Sequence, residues 1–336
     1  MTKIKTKSRS RAPVAAGYRR QEPPYAVQVE LAEGCQLRCS FCGLSGIRGR
    51  ANDYKFMTEQ TLASLMSQMV EAGWNPRVEF AMHGEPTMHP HFARMVQIAR
   101  ECAPKYHVMM TSNGGGLLTK PGPLAHVRSL FEAGLSVFAL DDYDGVKIID
   151  RVRAALEGHD VGAAVYEYPR DAAGNPHQRG GSRRLVFIQD ISQAQSGTHS
   201  LLNNHAGAGS PPLKEPMLER CAKPFRELSV RWDGSVAICC NDWRGEYKCG
   251  NVLYDGLDAV WNGDAMGAAR VALYHGRRDL IRPCSRCDAK SYRVGLLPDK
   301  YGKERLRPPD EKTMADIAAA EAGDCYTSPV PREWER

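Results

Sequence analysis

Strand and helix patterns alternate along the chain from Tyr25 to Asp190, and this alternation limits the fold more than any other feature of the sequence. Short apolar runs typical of strands are separated by longer segments with the three-to-four-residue spacing of amphipathic helices. One of these helices has a start signal, Thr58, just before it. Such alternation predicts an α/β fold with a parallel sheet that binds ligands at the carboxyl ends of its strands. The six predicted strands cover residues 25–35, 77–85, 106–115, 135–142, 160–168 and 183–190.

A second unit follows the alternating region. Residues 193–220 are rich in Ser, Asn, Gly and Pro, which indicates a connector with little regular structure. Residues 228–240 then predict a hairpin, because Asp233-Gly234 is a strong signal for a two-residue turn. The chain therefore divides into a flexible basic tail (1–24), an α/β domain (25–192), the connector (193–220), a second domain (221–292) and a carboxyl-terminal extension (293–336).

The composition narrows the class of protein. The chain has 336 residues, of which 11 are cysteine, and a formal charge of +6. Because no apolar signal segment or membrane-spanning run is present, we expect a cytoplasmic protein whose cysteines bind metal instead of forming disulfides. Much of the excess positive charge lies near the ends of the chain and is not interleaved with aromatic residues. We therefore predict no nucleic-acid partner and no association with a membrane.

Three closely spaced cysteines, Cys35, Cys39 and Cys42, follow the first predicted strand in the segment GCQLRCSFCG. A structural zinc site uses four protein ligands, so a zinc loop here would need a fourth ligand from elsewhere in the chain. Three thiolates that hold a four-iron cluster instead leave one iron with an open coordination position. The spacing alone leaves both alternatives open.

The context of these cysteines resembles the radical S-adenosylmethionine (SAM) enzymes over about residues 26–190. The pattern CxxxCxxC lies at the end of the first strand, AMHGEP (81–86) is similar to the family's GGE segment with His83 in place of the first glycine, and TSNGG (111–115) ends the third strand. The resemblance implies a partial (β/α)6 barrel, a [4Fe-4S] cluster held by the three cysteines, and bound SAM. The positions that the resemblance assigns to cofactor binding are Phe41, His83, Gly84, Glu85, Ser112 and Asn113.

Further cysteines in the second domain resemble the twitch domain, a short form of the SPASM auxiliary-cluster domain. The resemblance implies one additional [4Fe-4S] cluster with four thiolate ligands, although half of a zinc knuckle remains an alternative for the CxxC pair. Cys240 could replace its neighbour as a ligand, Cys102 is expected to be a small buried apolar residue, and Cys325 is assigned no role. The four implied ligands are Cys221, Cys239, Cys284 and Cys287.

Cys249 lies between the two halves of this auxiliary site and is surplus to its four ligands. It is either an incidental thiol or a hydrogen donor. The chain resembles twitch-containing epimerases of aminoglycoside antibiotics, in which a substrate radical would be quenched by a thiol such as Cys249. A dehydrogenase that oxidises a secondary alcohol of a sugar or aminocyclitol is the alternative, and peptide modification is less favoured.

The implied partners are a small aminoglycoside and a one-electron reductant such as flavodoxin or ferredoxin. Because an aminoglycoside is a polycation, its pocket should contain carboxylates and hydrogen-bonding amides. A noncatalytic iron-sulfur or zinc protein that binds nucleic acid would not explain why HGEP and TSNG end successive strands. The candidate substrate residues are Asp141, Asp142, Asp144, Glu167, Asp190, Asn203, Asn204 and His205.

Overall fold

The computed structural model describes residues 21–39, 41–46, 53–143, 147–168, 170–171, 175–179, 181–188, 204–209 and 213–289. Residues 1–20 of the predicted tail, half of the connector, Asp144, Asp190, Cys325 and the extension beyond residue 292 lie outside these described residues. Within them, a nine-stranded sheet forms the centre of the fold. Its strands are β1 (Ala26–Val29), β4 (Arg77–Phe80), β5 (His107–Ser112), β6 (Val137–Asp141), β7 (Ala164–Tyr168), β8 (Arg184–Ile188), β9 (Glu227–Val230), β10 (Ser235–Ala237) and β11 (Lys248–Asn251).

All six predicted strands are present and pair in parallel, so the predicted α/β class is confirmed. The order across the sheet is β11-β10-β9-β1-β4-β5-β6-β8-β7, in which β8 lies next to β6 and β7 is at the edge. The six strands share one direction, so their carboxyl ends meet at one edge of the sheet, where the three-cysteine loop and the two polar segments lie. A separate two-stranded sheet, β2 (Ala32–Glu33) with β3 (Lys55–Phe56), flanks this loop.

Helices cover one face of the sheet and bury its apolar residues. In α1 the predicted cap is observed, because the Thr58 hydroxyl accepts a hydrogen bond of 3.0 Å from the backbone N–H of Thr61. The apolar sides of α1 and α2 pack with the strands in one large core. The helices are α1 (Glu59–Glu71), α2 (Phe92–Cys102), α3 (Pro123–Glu132), α4 (Ile148–Leu156), α5 (Lys223–Arg226), α6 (Leu257–Trp261) and α7 (Asp264–Tyr274).

The second unit continues the sheet of the first. Strand β9 pairs in parallel with β1 along its whole length, from Ala26 opposite Glu227 to Val29 opposite Val230. The predicted hairpin is formed by β9 and β10, with Gly234 at a φ of 80°, a conformation that favours glycine. Cys249 on β11 and Cys239 just after β10 therefore lie on the same sheet that carries the three-cysteine loop.

No helix among the described residues is both long enough and apolar enough to span a bilayer.

Candidate functional site

The three-cysteine loop follows β1 and β2 and is held by hydrogen bonds to its own backbone and to the end of β5. The Asn113 side-chain amide donates to the sulfur of Cys35 at 3.2 Å, and the backbone N–H of Leu37 donates to the same sulfur at 3.3 Å. The backbone N–H of Cys42 donates to the carbonyl of Cys39 at 3.1 Å. None of the ten cysteines in the described part of the chain forms a disulfide. Asn113, predicted from sequence to bind a cofactor, therefore contacts the cysteine loop directly.

The HGEP segment after β4 packs its backbone against this loop at Gly84. A Cβ added there would lie 1.8 Å from the carbonyl oxygen of Ala32, so no side chain fits at this position. The next backbone N–H, that of Glu85, donates to the carbonyl of Gly34 at 2.9 Å. Just before it, Met82 has a φ of 127°, a strained value for a residue with a side chain. This close approach explains why glycine occupies the position that the family resemblance singles out.

Glu85 joins the end of β4 to the end of β5 through a fully buried carboxylate. One of its oxygens accepts from the Thr87 backbone N–H at 2.9 Å and from the Ser112 hydroxyl at 2.6 Å, while the other accepts from the Asn113 backbone N–H at 2.8 Å. Burial raises the pKa of Glu85, and these hydrogen bonds only partly offset that effect. The carboxylate holds two strand ends together, and its contact with a cofactor remains a prediction.

His83 lies in the interior, between the two cysteine-bearing parts of the chain. Its Nδ1 is 3.0 Å from Glu30 Oε1 at the end of β1, and its Nε2 is 3.1 Å from the carbonyl oxygen of Cys240. Its ring also packs on the indole of Trp243, with centroids 4.8 Å apart. The sequence pattern marked His83 only as a substitution for glycine, whereas the structure makes it a bridge from the HGEP segment to the auxiliary cysteine region.

Four cysteines of the second unit line one cavity, and they are the four implied auxiliary ligands Cys221, Cys239, Cys284 and Cys287. Burial raises the pKa of the Cys239 and Cys284 thiols, and the neighbouring thiols raise both further. Binding iron here must therefore displace protons from the thiols. Cys240 does not line the cavity, and its sulfur lies 3.2 Å from the ammonium nitrogen of Lys223.

The cavity also has hydrogen-bond donors directed at sulfur. The backbone N–H of Ala289 donates to the sulfur of Cys287 at 3.4 Å, and the Asn241 side-chain amide lies 3.8 Å from the same sulfur. Among the described residues, no three His, Cys, Asp or Glu side chains are grouped closely enough to bind a single metal ion. The convergence of four thiols on one cavity fits the auxiliary cluster that the resemblance implies.

Cys249 lies on β11 at a bulge. Val236 of β10 pairs with Gly250 and Ala237 pairs with Lys248, so Cys249 is the extra residue of the irregular ladder. Its side chain is buried and belongs to the main apolar core. Burial raises the pKa of its thiol far above the ordinary range, and the nearby carboxylate of Asp242 raises that pKa further. The sulfur is thus kept in its protonated form.

Asp242 lies near both Cys249 and the auxiliary cavity. Its carboxylate accepts from the backbone N–H groups of Glu246 and Tyr247, each at 2.9 Å. Its charge raises the pKa of both Cys249 and Cys284. The sequence analysis did not identify Asp242, and its only signal was its position three residues after a predicted ligand.

Of the predicted substrate residues, Asp141 is linked to Phe41 of the three-cysteine loop through Tyr143. Its carboxylate accepts a 2.7 Å hydrogen bond from the Tyr143 hydroxyl, and the Tyr143 ring packs on Phe41 with centroids 5.5 Å apart. Burial raises the pKa of Tyr143, and Asp141 and Cys39 raise it further. Asp142 follows at a half-buried position. The pairing of Asp141 with Phe41 through Tyr143 was not predicted.

Glu167 lies apart from Asp141. Glu167 is opposite Phe187 in the sheet, whereas Asp141 is opposite Ile188, so the two acids face opposite sides. Glu167 instead forms an ion pair with Arg153 of α4, on the helix-covered face, which corrects its proposed place in the pocket.

The connector candidates are held by the second unit. Asn204 donates its side-chain amide to the carbonyl of Arg286 at 2.8 Å, which commits that amide to a structural contact. His205 Nδ1 accepts from the indole N–H of Trp243 at 3.0 Å. Asp144, Asp190 and Asn203 lie outside the described residues.

Comparison with known families agrees with this arrangement. Residues 29–154 match the radical SAM superfamily, and residues 221–288 match the SPASM iron-sulfur cluster-binding domain. No curated protein sequence matches the chain significantly.

Among solved structures, BtrN in complex with AdoMet and 2-DOIA superposes with a TM-score of 0.59 at 20% identity, covering 80% of this chain and 94% of that chain. BtrN in an open conformation gives a TM-score of 0.54 at 18% identity with the same coverages. At these identities the likeness establishes a shared fold.

The cofactors follow from the two domains. A radical SAM domain binds a [4Fe-4S] cluster and SAM, and a SPASM domain implies an auxiliary cluster. The residues fit these groups, because a three-cysteine loop lies against a glycine backbone that excludes side chains, and four further thiols converge on one cavity. The predicted resemblance and cofactors are thus confirmed: the chain contains a radical SAM domain at residues 29–154 and a SPASM domain at residues 221–288.

Proposed function

We propose that this protein is a radical SAM epimerase of an aminoglycoside antibiotic, with Cys249 as the hydrogen donor. The observation that carries the proposal is the buried Cys249 thiol, which is kept protonated at a bulge and is not among the cysteines that line the auxiliary cavity. A hydrogen-atom donor must retain its S–H bond, and a thiol that ionised at neutral pH would lose it. Bulges also occur frequently beside active sites, where they redirect one side chain.

The proposed cofactor ligands are the residues named above. Cys35, Cys39 and Cys42 hold the SAM-binding cluster, and Cys221, Cys239, Cys284 and Cys287 hold the auxiliary cluster. When bound, these cofactors supply the one-electron chemistry that removes a hydrogen atom from an unactivated C–H bond, which no side chain can do. The protein's own residues orient the substrate and provide the returning hydrogen.

The donation step balances at Cys249. Its S–H bond breaks as a new C–H bond forms on the opposite face of the planar substrate carbon, which inverts that centre and leaves a sulfur radical. One electron and one proton then restore the thiol, and the electron comes from a reductant of the flavodoxin or ferredoxin class. The buried position of Cys249 would protect the sulfur radical from solvent during this interval.

Carboxylates near the cofactor support a cationic substrate. Asp141 is buried at the carboxyl end of β6, and Asp142 follows it at a half-buried position. Ammonium groups of an aminoglycoside pair favourably with such carboxylates. Neomycin C, which an epimerase would invert at C-5''' to give neomycin B, is the substrate we would test first, on the basis of the overall sequence resemblance.

A dehydrogenase that oxidises a secondary alcohol of an aminocyclitol or sugar is the second candidate. It is favoured by the similarity of fold to BtrN, which was crystallised with AdoMet and 2-DOIA. This reaction would need the same two cluster sites but no thiol donor. The two candidates therefore differ in their requirement for Cys249.

The deciding experiment uses anaerobically reconstituted protein, SAM, a reductant and neomycin C in deuterated water. The epimerase predicts a product isomer that carries one solvent deuterium at the inverted carbon, because the thiol exchanges its proton with solvent. Cys249→Ala should still form 5'-deoxyadenosine but should yield no epimer. The matched control is Cys102→Ala at the end of α2, which should retain full epimer formation.

Two results would reject the proposal. Epimer formation at the normal rate by Cys249→Ala would remove Cys249 from the reaction. A product that has lost two hydrogens, from wild type and Cys249→Ala alike, would establish the dehydrogenase instead.

A further inference from the structure

We propose that Lys223 raises the reduction potential of the auxiliary cluster. The inference concerns the electrostatic environment of the cavity lined by Cys221, Cys239, Cys284 and Cys287, and it rests on that ligand set from the proposed function.

The lining of this cavity contains two cationic side chains, Lys223 and Arg278, and no carboxylate among its described residues. Arg278 is 1% exposed, and its guanidinium donates to the carbonyls of Glu219 at 2.8 Å and Arg220 at 3.2 Å. Both cations therefore lie in a region where water screens charge weakly. Arg278 also holds the backbone in place, so its removal would change structure as well as charge.

Lys223 is the cation whose charge can be changed with less damage. Its side chain is 12% exposed, and its ammonium nitrogen lies 3.2 Å from both Glu227 Oε2 and the sulfur of Cys240. Lys223 lines the cavity whereas Glu227 does not. Burial raises the pKa of the Cys239 thiol, whereas the positive charge of Lys223 lowers it, so the cationic member of the pair is the nearer one to the cluster site. The ion pair therefore acts on the cluster site as an oriented dipole. The nearer charge, the ammonium group of Lys223, determines the sign of its effect on the cluster.

The direction of the effect follows from the charges of the cluster. A [4Fe-4S] cluster with four thiolates has a net charge of about −2 when oxidised and about −3 after it accepts one electron. A cation beside it stabilises the more negative form and raises the potential, as net charge and hydrogen bonds to sulfur do in other clusters. Lys223 thus favours the reduced auxiliary cluster, whichever reaction the enzyme performs.

The test is a redox titration of the auxiliary cluster alone. Replacing Cys35, Cys39 and Cys42 together by Ala should leave about four irons per chain, all in the auxiliary cluster. Dithionite reduction of this full-length triple variant, followed by electron paramagnetic resonance, gives the midpoint potential. Adding Lys223→Met, which keeps the chain length of the side chain and removes its charge, should lower the ratio of reduced to oxidised cluster about tenfold at a fixed potential, or about 59 mV.

Companion variants separate charge from structure. Lys223→Arg should keep the potential of the triple variant, and Glu227→Gln should raise it, since that change leaves the cation without its carboxylate partner. Opposite shifts from the two members of one ion pair would not arise from a merely structural disturbance. Lys248→Met removes a solvent-exposed lysine of the same unit and should leave the potential unchanged.

An unchanged ratio, within about twofold, in both Lys223→Met and Glu227→Gln would overturn the proposal. If Lys223→Met fails to assemble a cluster, the sign of the Glu227→Gln shift decides, and a fall in potential there would be contrary to the proposal. A triple variant that holds no iron would overturn the inference together with the auxiliary ligand set. Normal cluster assembly with unshifted potentials would overturn the role of Lys223 alone.

Discussion

Removing the His83 imidazole should release the auxiliary cysteine region from the HGEP segment. The side chain is fully buried and makes two hydrogen bonds, to Glu30 at 3.0 Å and to the carbonyl of Cys240 at 3.1 Å. Burial opposes ionisation of Glu30, but His83, Arg231 and the backbone N–H of Trp232 together lower its pKa below 4.5, so the carboxylate is charged at neutral pH. The ring therefore supplies a hydrogen-bond partner to a buried charge, and its removal leaves that charge less compensated.

The contacts that remain on Glu30 set the size of the effect. Removing one partner from a buried charge costs about 3–5 kcal/mol when the charge is left uncompensated. Glu30 would keep the Trp232 N–H at 3.2 Å and the Arg231 guanidinium at 3.6 Å, so the lower end of this range applies. A loss of about 3 kcal/mol corresponds to a change of roughly 100-fold in the opening equilibrium.

Hydrogen-deuterium exchange on the reconstituted protein measures this opening directly. In His83→Gly, backbone amides in residues 239–245 should exchange up to about 100-fold faster, while those of α2 should exchange as before. In His83→Gln, which can still donate one hydrogen bond, the exchange rate of residues 239–245 should lie between those of the wild type and His83→Gly. The control His159→Gly removes an exposed histidine and should change neither region. Unchanged exchange in residues 239–245 of His83→Gly would refute the bridging role.

Two further predictions concern the SAM-binding region. Gly43→Ala should lower the affinity for SAM and the iron content of the first cluster, because the added Cβ would lie 2.7–3.0 Å from three indole atoms of Trp243, an overpacking cost of about 1–3 kcal/mol. If the cause is steric, the double variant Gly43→Ala with Trp243→Leu should recover both the affinity and the iron content. Full iron content and affinity in the single variant would contradict the prediction. Glu85→Gln should raise the Kd for SAM about tenfold in equilibrium dialysis, since the amide NH2 would face either the Asn113 N–H or the Thr87 N–H, neither of which can accept, at a cost of about 1–3 kcal/mol. An unchanged Kd would show that this carboxylate does not order the cofactor site.

Local patterns in the sequence were sufficient for the parts of this protein that depend on neighbouring residues. Alternating apolar periods predicted all six parallel strands, and Thr58 and Asp233-Gly234 predicted a helix start and a turn that the structure contains. The cysteine spacings and strand-end segments identified the family and its cofactors, which the family comparisons confirm. Cofactor chemistry requires particular residue types at short, fixed intervals, so it leaves a signal in the linear sequence.

Contacts between distant segments were decided only by the tertiary structure. No local pattern indicated that β9 extends the sheet beside β1, that Glu167 faces Arg153 and away from Asp141, or that Lys223 lines the auxiliary cavity. His83 was visible as an unusual residue, but its partner Cys240 lies 157 positions away. The order of the strands, the face on which each side chain lies and the buried ion pairs all depend on which distant segments pack against one another and exclude water. A single sequence shows which apolar residues are available for burial but not which residues they pack against.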